Sequence, residues 1–337
     1  MTTDHTLRIA TIGGWGHWPQ VLDELMAMPE AQVIATAPAY KDEPLHDLLN
    51  HPKITEKTER FSNCQTMLEK TNPEVVIVST RLDQIAPAAT ECARRGCHII
   101  CEKPLAIDEE NLDKFQKAVL EHNIRVLAML TMRTLPAFLA ARKFFRQGHL
   151  GEFVLANARK SYRWGTRPEW FGHRDIYGGT IPWIGIHTFD MIHFITGKRF
   201  SSITAAAENA AHPQRPECED HAALLARLAG GGLASMSLDY FRPDDSSTHG
   251  DDWLRIVGTK GILEAYASRA YCHAIIEGQG EVEIPLEPQS DPMFLNFLRS
   301  IGKPEAFSPS TEDCFHLTRA VLTARQAADS QAWLEIT

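Results

Sequence analysis

Residues 7–18 read LRIATIGGWGHW, and this stretch decides the fold of the first part of the chain. Leu7–Ile12 is a short, mostly apolar run that predicts a strand. Three glycines follow, at Gly13, Gly14 and Gly16, and a helix-length amphipathic segment comes next. A glycine-rich turn between a strand and a helix lets backbone amides approach a pyrophosphate at the helix N-terminus. The stretch therefore predicts the first strand–turn–helix unit of a nucleotide-binding sheet.

Short apolar strands alternate with helical segments through the first 130 residues. Strands are predicted at Gln32–Ala37, Glu74–Ser79, His98–Cys101 and Ile124–Leu130, and helices at Pro19–Met28, Leu82–Arg95 and Asp108–His122, the last capped by Asp108. Apolar strands that are separated by helices favour a parallel sheet covered on both faces. Right-handed crossovers make such a sheet doubly wound. We therefore predict an α/β Rossmann domain over residues 1–130.

The pattern changes after residue 150, where strands follow one another without intervening helices. They are predicted at Glu152–Ala158, Ser202–Ala207, His221–Leu228, Leu233–Tyr240, Leu254–Gly258, Ile262–Tyr266, His273–Glu277 and Glu281–Pro285. Gly230-Gly231-Gly232 indicates a hairpin between two of these strands. Residues 131–305 are thus predicted to form an α+β domain with a large, mostly antiparallel open sheet. The helical segment 306–337 is expected to pack back on the first domain.

The composition is that of a globular protein with an excess of acid. The 337 residues include 34 Lys and Arg against 43 Asp and Glu, a formal charge of −9, which gives no general attraction for nucleic acid or anionic membranes. No apolar run approaches the roughly 18–20 residues of a membrane span, and the first residues lack the pattern of a signal peptide. Seven cysteines without a CxxC pair are typical of inert thiols in a reducing compartment. We expect a cytoplasmic protein without nucleic-acid or membrane partners.

The glycine turn does not match the dinucleotide motif GxGxxG in either register. Counted from Gly13, the motif needs glycine where Trp15 and Trp18 stand. A tight turn without a ligand is therefore an alternative reading of these residues alone. The predicted cofactor-binding residues lie in this turn and at the strand tips: Gly13, Gly14, Trp15, Gly16, His17, Thr36, Ser79, Thr80, Glu102 and Lys103.

The second strand ends without the carboxylate that usually binds the adenosine ribose of NAD. Its tip reads Thr36-Ala37-Pro38-Ala39-Tyr40-Lys41. Thr36 is suited to hydrogen-bond a ribose, and Lys41 is suited to a 2′-phosphate, which favours NADP slightly. Because Lys41 can equally be a solvated loop charge, NAD and NADP both remain open.

Two further segments carry candidate chemistry. Lys103 follows the strand His98–Cys101, at the edge where open α/β sheets bind ligands. In the second segment, His187 and Asp190 share one face of a predicted helix at i, i+3, so that Asp190 is placed to orient His187. A buried histidine that satisfies a backbone carbonyl is the alternative. A metal site that includes His193 is disfavoured because the outer ligands would lie about 120° apart around the helix, and no metal is predicted.

The chain resembles the Gfo/Idh/MocA family of NAD(P)-dependent oxidoreductases in three motifs: Glu102-Lys103-Pro104, the block running from Gly178-Gly179 through Gly185-Ile186-His187 to Asp190, and Asp220-His221-Ala222-Ala223. Their order and spacing cover nearly the whole chain. The resemblance implies a sugar, inositol or related polyol as substrate. It also implies a homo-oligomer, a dimer or tetramer, formed through the antiparallel sheet.

The resemblance implies catalytic roles for Lys103 and His187. Lys103 would contact both the nicotinamide ribose and the substrate hydroxyl, and His187 would act as general acid/base on that hydroxyl. A histidine can take the proton as the carbonyl forms. A nearby lysine cation would stabilise the developing alkoxide.

The chain departs from the family where Trp183 stands in place of the aspartate of inositol-type members. The residues that could support catalysis in its absence are Asp190, Tyr177, Tyr162 and Trp183 itself. The substrate-binding candidates are Arg133, Arg163, Trp164, Trp170 and His187. Flat indole faces suit sugar rings, whereas core packing is their ordinary role. Arg133, Arg163, Arg167 and Arg174 are close enough in sequence to recognise an acidic or phosphorylated sugar, and solvated surface charges are the alternative.

The function that follows is an NAD(P)-dependent oxidoreductase, which transfers hydride between the nicotinamide and a hydroxyl or keto carbon of a sugar, inositol or related polyol. One alternative is a redox-neutral, NAD-assisted lyase or glycosidase, in which the cofactor is regenerated. The other is a non-catalytic sensor or regulatory protein on the same fold, which the presence of both Lys103 and His187 disfavours.

Overall fold

A computed structural model of the protein describes residues 6–288, 292–303 and 309–337. The chain forms two compact units, and each is made of two separate segments of the sequence. The first unit comprises residues 1–129 and 291–315, and the second comprises residues 130–290 and 316–337. The sequence analysis predicted boundaries at residues 130 and 305 and expected the segment 306–337 to pack on the first domain. The structure instead groups residues 316–337 with the second unit.

The described residues contain ten α-helices and fifteen strands. The helices are α1 Trp18–Leu25, α2 His46–Leu49, α3 Cys64–Thr71, α4 Leu82–Arg94, α5 Glu109–His122, α6 Pro136–Arg146, α7 Arg174–Tyr177, α8 Ile186–Thr196, α9 Met293–Ser300 and α10 Thr311–Ser330. The strands are β1 Leu7–Ile12, β2 Ala31–Ala37, β3 Glu59–Arg60, β4 Val75–Val78, β5 His98–Cys101, β6 Val126–Ala128, β7 Phe153–Tyr162, β8 Phe200–Glu208, β9 His221–Leu228, β10 Leu233–Asp239, β11 Gly250–Gly258, β12 Gly261–Tyr266, β13 Tyr271–Ile276, β14 Gly280–Glu283 and β15 Leu334–Glu335. Two 3-10 turns at Thr131–Thr134 and Glu169–Gly172 and a π-helical turn at Ile181–Gly185 complete the described elements.

The first unit is built on a six-stranded parallel sheet in the order β3-β2-β1-β4-β5-β6. This is the predicted doubly wound Rossmann sheet, and the prediction is confirmed. All four residues of β4 are buried, as expected for a central strand covered on both faces. The strand order reverses between β2–β1 and β4, so the turn after β1 opens at the switch point where such sheets bind ligands.

Helix α9 belongs to the core of the first unit. Its residues Phe294 and Phe297 are 1% and 2% exposed, and they join the cluster formed by the sheet and by the buried face of α1. Each aromatic ring that leaves water contributes on the order of 1.5–3 kcal/mol. This burial is why residues after 291 group with the first unit, although the sequence pattern put them in the second domain.

The second unit is built on a nine-stranded sheet in the order β14-β13-β12-β11-β7-β10-β9-β8-β15. All neighbouring strands are antiparallel except β7 and β10, which confirms the predicted mostly antiparallel sheet. The predicted hairpin between β9 and β10 is also present, and Gly230, Gly231 and Gly232 all have positive φ there. Helix α8 packs on β7, and α6 packs on β12 and β13.

The other face of this sheet is open. Along β9 the side chains of Ala222, Leu224 and Ala226 are buried, whereas those between them are exposed, among them Leu225 at 52%. This alternation is that of a sheet with one covered and one uncovered face. Among the helices of the described residues, none combines the length and apolar character needed to cross a membrane.

Glu24 provides the N-terminal cap of α9. The helix follows Pro292, which offers no capping side chain, and the Glu24 carboxylate accepts instead from the amides of Phe294 (2.7 Å) and Leu295 (3.2 Å). We expect Glu24→Ala to lower the free energy of unfolding by about 1–2 kcal/mol, because it leaves these helix-terminal amides without their acceptor. Urea denaturation measures this change. Glu30→Ala is the control, because Glu30 is exposed and follows α1, the helix that carries Glu24. Equal urea midpoints for the two variants would contradict the capping role.

Candidate active site

The turn after β1 needs glycine at two positions. Gly13 has φ +87° and Gly16 has φ +106°, the left-handed region that other residues rarely adopt. A Cβ on Gly13 would also lie 2.5 Å from the Ser79 carbonyl oxygen, and one on Gly16 would collide with the Glu102 carboxylate. The ends of β4 and β5 thus lie so close to the turn that both positions require glycine, although the GxGxxG spacing is absent.

Most amides of the turn are occupied inside the first unit. They donate as follows: Gly13 to the Ala37 carbonyl (3.0 Å), Gly14 to Glu43 (3.4 Å), Trp15 to the Ser79 carbonyl (3.1 Å) and His17 to Glu102 (2.7 Å). The amides of Gly16 and Trp18 donate to no residue in the described part of the chain. They lie at the start of α1, whose first turn carries no acidic side chain. Such amides attract an anion, so the turn fits a pyrophosphate group.

Glu43 contacts this turn and was not identified from the sequence. It lies in the loop after β2, is 7% exposed, and accepts from the amides of Gly14 and Ala39 (2.7 Å) and from the Thr80 hydroxyl (2.5 Å). Burial raises the pKa of the Glu43 carboxyl, and the hydrogen bonds from Thr80 and Ala39 offset this only in part. The tip of β2 has no carboxylate, but the loop that follows brings one back to the glycine turn. The only sequence signal was a single glutamate before Pro44.

Thr36 lies apart from the other predicted cofactor residues. It is 1% exposed inside the sheet, and its hydroxyl accepts from that of Thr11 (2.9 Å). Lys41 is exposed, as a loop charge would be. The guanidinium of Arg81 lies 4.5 Å from the centre of the Tyr40 ring and is paired with Asp83.

Glu102 connects the glycine turn to the tip of β5. It is fully buried, and its carboxylate lies 2.7 Å from both the amide and the Nδ1 of His17, while it also accepts from the Lys103 amide (2.9 Å). Burial alone would raise the pKa of Glu102, but the charges of His17 and Lys103 and these hydrogen bonds hold it below its ordinary value. Ser79 donates to the Trp15 carbonyl (2.7 Å) in the same turn. Lys103 itself is 2% exposed.

His187 lies in the first turn of α8, in the second unit. It is 4% exposed, and the π-helical turn before it contains Trp183, which is 7% exposed and contacts the Phe171 ring edge-on. Gly185 lies just before α8 in close contact with β10, since a Cβ there would lie 2.8 Å from a methyl of Leu238. Trp183 thus stands in an aromatic cluster, at the position where the resemblance implied an aspartate.

Arg133 and Asp190 form a buried ion pair. They are 5% and 0% exposed, and the Arg133 Nε donates to Asp190 Oδ1 at 2.8 Å while Nη2 donates to the same oxygen. The sequence analysis assigned Arg133 to the substrate and Asp190 to His187. The structure brings Arg133 and Asp190 together, so each neutralises the other, and the two assigned roles stay predictions.

Tyr177 and Tyr240 share a hydrogen bond between their hydroxyls, at 2.9 Å. Burial raises the pKa of both, so both are neutral near pH 7. Tyr240 was missed in the sequence because it ends a strand without any motif. Tyr162 lies in a different group, where the buried Lys160 pairs with Asp252 (2.6 Å) and sits 4.4 Å from the Tyr162 ring centre.

Trp164 and Trp170 are both in contact with other aromatic rings. Trp164 is stacked on His212, with ring centres 3.7 Å apart, and Trp170 lies 4.5 Å from Phe171. The buried Asp220 holds His212 (2.8 Å) and also pairs with His221. Although burial raises the pKa of Asp220, hydrogen bonds from the two histidines and from backbone amides lower it to about 2. The stacked ring of His212 therefore covers one face of Trp164.

The remaining predicted arginines differ in their partners. Arg174 pairs with Asp329 at 2.7 Å. Arg163 and Arg167 follow β7, and neither forms an ion pair within the residues that the structure describes.

Two family models match the chain. The model described as an oxidoreductase family with an NAD-binding Rossmann fold matches residues 50–129, and the GFO/IDH/MocA C-terminal domain matches residues 138–264. The chain belongs to the Gfo/Idh/MocA family. The predicted resemblance is thereby confirmed, and the predicted cofactor, NAD or NADP, agrees with the description of the first domain.

Three relatives show how far the likeness extends. The chain is 25% identical over 207 residues to the rhizopine catabolism protein MocA of Rhizobium meliloti and 27% identical over 216 residues to its inositol 2-dehydrogenase. These matches cover 61% and 63% of this chain and 63% of each relative. A solved structure from Thermotoga maritima is 34% identical, with a TM-score of 0.91 over 98% of this chain and 100% of the other.

The Arg133–Asp190 pair of this Gfo/Idh/MocA protein makes a testable contribution to stability. We expect Asp190→Ala to lower the free energy of unfolding by about 3–5 kcal/mol, because the Arg133 guanidinium would stay buried without this carboxylate. The double variant Arg133→Met, Asp190→Leu removes both charges and should recover most of the loss. Urea denaturation of the three proteins measures the difference. A double variant no more stable than Asp190→Ala would show that the pair is not the source of the effect.

Proposed function

We propose that this member of the Gfo/Idh/MocA family is an NAD(P)-dependent oxidoreductase, which transfers hydride between a nicotinamide cofactor and a hydroxyl or keto carbon of a sugar, inositol or related polyol. The observation that carries the proposal is the buried Lys103 at the carboxyl end of β5, beside Glu102, whose carboxylate binds the glycine turn. A buried lysine at that edge of a nucleotide-binding sheet is suited to act on bound substrate. The inositol dehydrogenase among the relatives supports a polyol substrate.

The cofactor would bind at the glycine turn and beside the loop that follows β2. The amides of Gly16 and Trp18 would donate to the pyrophosphate. Glu43 favours the ribose hydroxyls of NAD, since its carboxylate would repel a 2′-phosphate, whereas the exposed Lys41 favours NADP. When bound, the nicotinamide supplies or accepts the hydride.

Side chains of the protein would transfer the proton and stabilise the developing charge. His187 would take the proton of the substrate hydroxyl during oxidation and return it during reduction. Lys103 would stabilise the alkoxide by its positive charge. Trp183 offers neither a proton nor a charge, so the aspartate of the family's inositol-type members has no replacement at that position.

Titration of the purified protein with NADH and NADPH, followed by a sugar and polyol screen at the reduced nicotinamide absorbance, tests the proposal. We expect saturable binding of at least one dinucleotide and cofactor reduction or oxidation with at least one substrate. Binding of neither dinucleotide would refute the proposal. Substrate loss without net change in the cofactor would instead establish the redox-neutral lyase or glycosidase.

Variants at the two proposed catalytic residues test their roles. We expect His187→Ala and Lys103→Ala each to lower kcat by about 100-fold or more, because each removes a group that acts in the transition state. The dissociation constant of the cofactor should change far less. His122→Ala and Lys114→Ala, at exposed positions on α5, are the matched controls. Near-normal kcat in both active-site variants would reject the assigned roles.

We also propose that two or four copies associate through the open face of the nine-stranded sheet. Leu225 and Leu233 are 52% and 50% exposed on adjacent strands of that face. Uncovered apolar residues on a broad sheet are typical of an interface. We expect Leu225→Arg to dissociate the oligomer, measured by light scattering after size exclusion. Leu120→Arg, at a leucine 73% exposed on α5, should leave the mass unchanged, and a monomeric parent protein would contradict the proposal.

A further inference from the structure

Three arginines of the second unit lie together, and we call them the arginine cluster: Arg163, Arg167 and Arg215. Main-chain contacts hold them in place. Arg167 donates to the Arg163 carbonyl (3.3 Å) and to the Trp164 carbonyl (2.7 Å). Arg215, from the loop between β8 and β9, donates to the Arg167 carbonyl (2.9 Å) and the Pro168 carbonyl (2.8 Å). These contacts bring the three residues into one region of the second unit, although 48 positions separate Arg215 from Arg167.

Within the described residues, no carboxylate lies within 4.0 Å of any guanidinium nitrogen of the arginine cluster. Some other arginines of the same unit have acidic partners: Arg133 with Asp190, Arg159 with Asp251 and Arg174 with Asp329. Arg142 and Arg227, like the arginine cluster, have no ion pair within the described residues. Three neighbouring positive charges are thus left without neutralisation by the protein.

The side chain of Arg163 adds a second observation. Its Nε is buried and makes no hydrogen bond with any described residue. A buried donor without an acceptor costs about 1–3 kcal/mol, and few native structures retain one without a reason. A planar guanidinium presents its donors in a fork that matches the two oxygens of a carboxylate or phosphate. A bound oxyanion would neutralise the charge of this guanidinium group.

The surroundings of the arginine cluster are aromatic. Arg215 lies 5.5 Å from the centre of the Trp164 ring, and Arg167 lies 4.7 Å from that of Tyr240, whose hydroxyl pairs with Tyr177. Burial lowers the pKa of the nearby His249, and the positive charges of Arg167 and Arg163 lower it further. Aromatic faces, neutral hydroxyls and unneutralised guanidinium groups therefore occur in one region.

We propose that the arginine cluster binds an oxyanion group of the substrate, so that the substrate is a sugar or polyol bearing a carboxylate or a phosphate. This deepens the proposed function and rests on it in taking the oxyanion to be part of the reacting molecule. The two acidic groups share the same hydrogen-bonding chemistry, and the choice between them is made by the probes of the experiment. Arg133 and Arg174 are excluded from the site, since each already has its own carboxylate.

Calorimetric titration at low ionic strength with D-glucuronate, D-glucose 6-phosphate, inorganic phosphate and D-glucose tests this proposal. We expect at least one anionic probe to bind saturably, and its neutral counterpart D-glucose to bind at least about 10-fold more weakly, as charge-assisted hydrogen bonds predict. Preference for D-glucuronate would indicate a carboxylate, and preference for D-glucose 6-phosphate a phosphate. Absence of saturable binding by all three anionic probes would overturn the proposal.

Variants link the binding to the arginine cluster. We expect Arg163→Gln alone, and Arg163→Gln with Arg167→Gln, to lower the affinity for the anionic probe by about 10-fold or more. Added salt should also lower the affinity of the parent protein for that probe. If loss of the contact between Arg167 and the Tyr240 ring impairs folding of the double variant, the single variant Arg163→Gln still tests the proposal. Arg269→Gln, at an exposed arginine of the same unit, is the control and should bind as the parent does. Unchanged affinity in Arg163→Gln would overturn the proposal.

Titration of the same variants with the dinucleotide separates this inference from the proposed function. Loss of anion binding with normal dinucleotide binding is the expected result for both variants. A parent protein that binds dinucleotide and oxidises only neutral polyols would retain the proposed function and refute the acidic substrate. A parent that binds the anionic probes but no dinucleotide would refute the proposed function itself.

Discussion

The buried carboxylate of Glu102 is the interaction on which the first unit's candidate site depends. A fully buried carboxylate is stable only when donors surround it, and here His17 and Lys103 supply them. Because His17 precedes α1 and Lys103 follows β5, one side chain fixes both the glycine turn and the tip of the sheet. Gly16 must remain glycine for the same reason, since its Cβ would fall on that carboxylate.

Most of the architecture could be predicted from the sequence, because strands and helices follow local patterns of apolar residues. The strands Leu7–Ile12, His98–Cys101 and His221–Leu228 have the predicted bounds, and Asp108 caps α5 through the Asn111 amide as expected. The exception was α9, whose amphipathic pattern predicts a helix but not the core that buries it. Nothing local in the sequence specifies which of two cores an apolar helix face will join.

The candidate site was less predictable, because its contacts join residues that are far apart in the chain. Lys103 and His187 were found through motifs. Glu43 reaches the glycine turn only because its loop folds back, and the sequence offers no periodicity or spacing for that. Asp190 lies three residues from His187, which suggests a local partnership, but nothing in the sequence indicates its ion pair with Arg133, 57 positions away. A helix-face argument identifies neighbours on one helix and has no information about the element packed against it.

The arrangement of charges in the second unit separates structural cations from cations available to a ligand. Removing a cation from water costs several kcal/mol unless an anion accompanies it, so the buried Arg133 and Lys160 each have a dedicated aspartate. Arg163 and Arg167 are only partly buried, and water can solvate part of their charge, so folding does not require an acid beside them. An acid at that place would in fact compete with any anionic ligand for the same donors. The net charge of −9 therefore says little about the substrate. The local arrangement says more, because within the described residues Arg163, Arg167 and Arg215 have no carboxylate partner, and two of them lie beside the rings of Tyr240 and Trp164.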